Sequence, residues 1–207
     1  GRARLHFAYG DYIESARRAS LNVSGLRGLG APRVIATALW LEGQALLGLR
    51  DWPRARAVLE EAVAIFASFE QRGQVPEVAA RAALSCVGLG DLPAARAHIA
   101  TADAALLQRD HDSQHITLVA KATLAAAEGD PDTAERRFRE ALAVLAPARE
   151  DNLAEGRVHY ARFLIDTGRI ADARQQLLEA RAFYRDPLAA PRRDEIDALL
   201  KRCEVGV

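Results

Sequence analysis

A short punctuation mark recurs five times along this 207-residue chain: Gly10-Asp11-Tyr12, Arg50-Asp51-Trp52, Gly90-Asp91-Leu92, Gly129-Asp130-Pro131 and Gly168-Arg169-Ile170. Its middle residues stand 40, 40, 39 and 39 residues apart. A period that drifts by one residue over four intervals restricts the chain to a tandem array of one supersecondary unit, each copy burying its apolar face on its neighbours. Four residues past each mark sits a small side chain: Ser15, Ala55, Ala95, Ala134 and Ala173. Ala19, Leu59, Ile99, Phe138 and Leu177 follow four later, and Asn22, Ala62, Ala102, Ala141 and Ala180 three later still. That spacing is one face of an α-helix, so each mark opens an amphipathic helix. A second small column, Ala3, Gly43, Ala83, Ala122 and Ala161, runs twelve residues upstream of the first. It is followed after three residues by Leu46, Cys86, Ala125 and Leu164, which defines a partner helix.

The unit is therefore a helix pair, A then B. The pattern predicts helices at 2–9 and 11–28, 32–49 and 52–72, 76–89 and 92–109, 113–128 and 131–147, and 152–167 and 170–185, with a capping helix at 191–204. The repeats run 1–31, 32–73, 74–110, 111–149 and 150–188 within a single domain spanning 1–207. Pro32, Pro53, Pro76, Pro93, Pro131 and Pro191 all fall in predicted first turns, where the missing N–H costs nothing. The short first A helix and the absence of any Met predict a piece of a longer protein.

Composition narrows the function classes. Half the residues are hydrophobic but only 6% are aromatic, which suits helices brought close on alanine. The 28 basic and 28 acidic side chains cancel, so direct nucleic-acid binding lacks its sequence-independent driving force. No apolar run reaches the ~18–20 residues that span a bilayer. Cys86 and Cys203 match no metal or redox spacing and are expected as reduced thiols in a cytoplasmic protein.

Small–apolar–small in helix B, a small residue in helix A and Gly-Asp-aromatic at the turn resemble the tetratricopeptide (TPR) repeat. The clearest copy runs from Trp40-Leu41-Glu42-Gly43-Gln44-Ala45-Leu46-Leu47 through Asp51-Trp52-Pro53-Arg54-Ala55 to Leu59-Glu60-Glu61-Ala62. The resemblance covers nearly the whole chain. It departs in period, since the family usually repeats every ~34 residues, and in Glu42 and Lys121, which stand where the family places a large apolar residue. Long repeats of this kind are similar to the C-terminal superhelices of bacterial signalling ATPases and large ATP-binding transcription activators. The resemblance implies an all-α, right-handed α-α superhelix of five TPR-like pairs plus the capping helix, with the A helices lining its concave face.

On that implied face lie Thr37, Trp40, Gln44 and Leu47 from the second pair, and Glu77, Ala80, Leu84 and Val87 from the third. Ile116, Val119, Thr123 and Ala126 follow from the fourth, then Glu155, Val158, Arg162 and Ile165 from the fifth, with Arg4 and Asp166 nearer the ends. The expected site is Trp40, Gln44, Leu47, Leu84, Val87, Val119, Thr123, Val158, Arg162 and Asp166. The Lys and Asn of a carboxylate clamp are missing from the matching positions. Two functions fit: a non-catalytic scaffold gripping a peptide or partner helix in an open groove, or an effector-sensing domain binding a small molecule in a closed pocket of ~300–1,000 Å³. Self-association through the incomplete first repeat is a third partner option.

Other features point to structure. His111 and His115 are spaced to share a metal on one helix face, but Asp112 or Ser113 reads more simply as a helix cap there. His6 and His159 sit in matching Arg-x-His-aromatic stretches that repeat homology explains. Tyr12, Trp52 and Phe138 follow the core columns, and Arg192 to Arg202 reads as the solvated face of the capping helix. No phosphate loop, nucleophile elbow or convergent carboxylate pair is present, so neither catalysis nor a cofactor is expected.

Overall fold

The computed structural model describes residues 2–69, 73–145 and 150–205, and every regular element among them is a helix. In chain order these are α1 (Arg2–Ala8), α2 (Tyr12–Leu26), α3 (Pro32–Gly48), α4 (Trp52–Ala67), α5 (Val75–Gly88) and α6 (Leu92–Ala105). There follow α7 (His111–Ala127), α8 (Pro131–Val144), α9 (Glu150–Asp166), α10 (Ile170–Phe183) and α11 (Ala190–Val205). None is long and apolar enough to cross a membrane. The predicted ends of the second and fourth B helices, 70–72 and 146–147, lie outside the described residues.

The punctuation marks act as one device. Gly10, Gly90, Gly129 and Gly168 take φ values of 81°, 77°, 81° and 77°, and Arg50 takes the same left-handed conformation at 59°. This turn ends each A helix. At the first four marks the next residue, Asp11, Asp51, Asp91 or Asp130, then caps the B helix by accepting the backbone N–H three residues on. Arg169 makes no such cap. Pro32, Pro53, Pro76, Pro93 and Pro131 all open helices, and Pro191 is the second residue of α11.

Each A helix packs on its own B helix and on the next A helix, from α1 on α3 to α7 on α9, while each B helix packs on the A helix that follows. The small columns make this contact possible. Ser15, Ala55, Ala95, Ala134 and Ala173 are fully buried, as are Ala83, Ala122 and Ala161 across from them. Ser15 donates its buried hydroxyl to the Ala3 carbonyl at 2.9 Å, so the one polar member of the column is satisfied. In the first repeat the third B-helix position fails: Asn22 is exposed and Val23 is buried in its place. Leu5, Ile13, Leu21 and Leu29 of this first pair are exposed as well.

Glu42, although charged, is only 5% exposed. Its carboxylate faces the flanking B helices and lies 3.7 Å from Arg54, and burial pushes it above its ordinary pKa. Lys121 in the equivalent position of α7 pairs with Asp103 at 2.7 Å. Both charges are thus tied to the B-helix side of the array. Several helix ends differ from expectation. α6 stops at Ala105 because Leu106 is already extended, leaving room for the turn whose Asp110 caps α7.

Candidate functional site

The cap of α7 is Asp110, which accepts from the Ser113 N–H at 3.1 Å, and not Asp112 or Ser113. His111 is exposed, whereas His115 is buried and donates Nδ1–H to the Ala141 carbonyl at 2.8 Å, so the two imidazoles do not converge. A different trio could hold a metal: Glu60, Cys86 and His98, from α4, α5 and α6, present ligand atoms all within 4.8 Å of one another. Arg56 is already bonded to that Glu60 carboxylate at 2.9 Å and to Asp91 at 2.8 Å, which places a fixed cation beside the trio.

The A helices line partly open hollows, and residues of α2 and α11 meet across them. Arg192, at the start of α11, is 8% exposed and reaches across to α2, donating Nη1–H to the Tyr12 hydroxyl. The same nitrogen pairs with Glu195 at 2.6 Å, and Nε donates to the Tyr184 hydroxyl at 3.4 Å. Its guanidinium also lies over the rings of Tyr12 and Tyr184, 5.6 and 5.7 Å from their centroids. Tyr12 donates to Glu195 at 3.4 Å, and Tyr9 to Asp186 at 3.5 Å. Gly10 completes the clasp. A Cβ there would stand 2.7 Å from the Arg192 nitrogen, so both its positive φ and the passing backbone require glycine. Arg192 and Glu195 are therefore interior groups, contrary to the expectation of a solvated tail.

Two chambers result, of about 480 and 530 Å³. They share a wall made of Phe7, Tyr12, Gln44, Arg81, Glu155 and Arg192. In that wall Arg81 is 6% exposed and is held by Glu77 at 3.3 Å and Glu155 at 3.2 Å. With its amide oxygen turned toward the two donors, Gln44 accepts from Arg81 Nε at 3.1 Å and Trp40 Nε1 at 3.0 Å. Burial alone would raise the Glu155 carboxyl, but Arg81, then His159 in its protonated form, and Arg192 outweigh it and hold it far below the usual carboxylate range. For His159 burial dominates, helped by Arg162, Arg192 and Arg81, and the imidazole is pushed down to about 3. It is neutral at physiological pH.

Of the ten expected site residues, the first chamber gathers eight: Gln44, Leu47, Leu84, Val87, Thr123, Val158, Arg162 and Asp166. Trp40 lines the second. Val119 lines neither, because it is fully buried in the core between helices. The chamber wall also contains groups read from the sequence as core. Tyr12 and Trp52 are only half-buried, each lying against a glycine of the next A helix; a Cβ on Gly48 or Gly88 would meet the ring at 2.6 or 2.4 Å. Arg50, Arg81 and His159 were missed as site residues, and Arg50 alone carried a visible signal, as the one non-glycine at the five turns. No family model matches the chain and no curated protein matches it, so the chemistry of the chamber must be taken from its own residues.

Proposed function

We propose that the chain is a right-handed α-α superhelix of five TPR-like helix pairs that acts as an effector-sensing domain, binding a small molecule in the first chamber. The five left-handed turns and the buried small columns support the repeat reading. One observation carries the ligand reading: the clasp from Tyr12 to Arg192 and Glu195 brings the chain's ends together across the A-helix face. What lies inside is a cavity of about 480 Å³, within the range of small-molecule pockets. One turn of a partner helix about 10 Å across occupies roughly 420 Å³, so the chamber takes little more than a single turn. A peptide or partner helix running along an open groove, the other reading of the sequence, would need the clasp released.

The test is thermal stability in the presence of a fractionated cell extract. The low-molecular-mass filtrate should raise the melting temperature of the wild type and not that of Arg162→Gln. A ligand at a hundred times its Kd adds about 2.7 kcal/mol, well within detection. Stabilisation by the retained macromolecular fraction alone would reject the effector reading in favour of the groove.

A further inference from the structure

Arg50 stands where the fold asks for glycine. Four of the five turns place glycine in the left-handed conformation, and Arg50 adopts it at φ 59°. L side chains rarely take that conformation, so the turn itself gives no reason for an arginine. Arg50 is an exposed residue that lines the first chamber together with Leu47, Leu84 and Val87, and its guanidinium lies 5.8 Å from the Trp52 ring centroid. Among the described residues no carboxylate forms an ion pair with it.

The charges around it are uneven. Glu195 serves two arginines at once, Arg162 and Arg192, at 2.6 Å each. Arg81 is committed to Glu77 and Glu155. Asp166, at the rim, is 71% exposed on its side chain and pairs with Arg202 at 3.5 Å. Arg162 is pulled below the usual guanidinium value by burial first, with Arg50 and Arg192 adding to it against the opposing pull of Glu195 and Tyr12. An entering anion would supply the missing countercharge. Gln44, Tyr12, His159 and Thr167 add polar groups to the wall, Leu47, Leu84, Val87, Val158 and Phe163 give it an apolar stretch, and the Thr123 hydroxyl is spent on the Val119 carbonyl at 2.8 Å.

We propose that the chamber selects an amphipathic organic anion, with its acidic head between Arg50 and Arg162 and its apolar body against Leu47, Leu84, Val87 and Phe163. This rests on the chamber being a ligand site and adds the class of ligand. The test compares two probes with one apolar framework, anionic 1-anilinonaphthalene-8-sulfonate and neutral N-phenyl-1-naphthylamine, followed by probe fluorescence and quenching of Trp52. The anion should bind about tenfold more tightly than the neutral probe, the worth of one charged hydrogen bond. Arg50→Gly, which installs the residue found at the other four turns, and Arg50→Gln should both erase that preference. Inorganic phosphate alone should compete weakly, since it lacks the apolar body. Equal binding of both probes, or an anion preference that survives in both Arg50 variants, overturns the anion assignment while leaving a ligand chamber standing. If neither probe binds the wild type, both the anion assignment and the ligand chamber are overturned.

Discussion

The clasp between the chain ends can be isolated by one pair of substitutions, Gly10→Ala and Gly90→Ala. Both residues are left-handed, at φ 81° and 77°. An alanine pays about 1–2 kcal/mol for that conformation at either site. The surroundings differ. A Cβ on Gly90 meets nothing within 4 Å, whereas one on Gly10 lies 2.7 Å from the Arg192 nitrogen and 2.9 Å from its Cα and Cβ. Two of those atoms are backbone at the start of α11, so no side-chain rotation relieves the clash, and the helix must retreat by roughly an ångström. Overpacking of that kind costs about 1–3 kcal/mol. Undocking α11 from the turn sets a ceiling on the penalty. Urea denaturation should therefore show Gly90→Ala losing about 1–2 kcal/mol and Gly10→Ala a further 1–3 kcal/mol at unchanged m-value. Amide exchange should locate the excess, accelerating in α1 and α11 of Gly10→Ala and in neither helix of Gly90→Ala. If the two variants melt within about 0.5 kcal/mol of each other, a difference too small for an added clash, or if α11 exchanges normally in both, α11 is not seated on this turn and the chamber is open.

Two further outcomes follow from the packing and the buried charges. Ala95→Leu and Ala134→Leu each put a branched side chain into a fully buried column and should lose about 1–3 kcal/mol, or roughly 2–4 °C in Tm for each kcal/mol, in differential scanning calorimetry; an unchanged melt would contradict the register of the B helices. His159, held neutral with its pKa pushed down to about 3 from 6.5, gives the folded state fewer protons than the unfolded one between those values. Its contribution is complete above pH 6.5 and is lost as pH falls toward 3, with a slope approaching 1.4 kcal/mol per pH unit, and His159→Gln should flatten the profile between pH 6.5 and about 4.5, below which the depressed Glu155 carboxyl adds a slope of its own. A slope that persists in the variant would place the titration on another group.

Local chemistry made the helices legible and long-range contact hid the clasp. A left-handed turn and a small residue four places on are requirements that each repeat meets by itself, and the first four add an aspartate cap. Five copies in register therefore announce the helix pairs, and all five turns share the left-handed conformation. The first repeat shows the limit: its third column drifts from Asn22 to Val23. Closure has no period. Tyr12 and Arg192 are 180 residues apart, and nothing in a repeat pattern links a turn in the first pair to the start of the capping helix. A hint was nonetheless present in α11. Ile196, Leu199 and Cys203 are buried at i, i+3 and i+7, and stepping back one turn along that stripe lands on Arg192. Charge count alone hides such a residue, because the mixed signs of 192–202 imitate a solvated face. An arginine in line with an apolar stripe is buried with it, and must then find its partners inside. Here it finds Tyr12, Tyr184 and Glu195. Arg50 is the complementary case, an arginine whose oddity lies in the backbone and is visible only once the glycine at the other four turns has defined what the position requires.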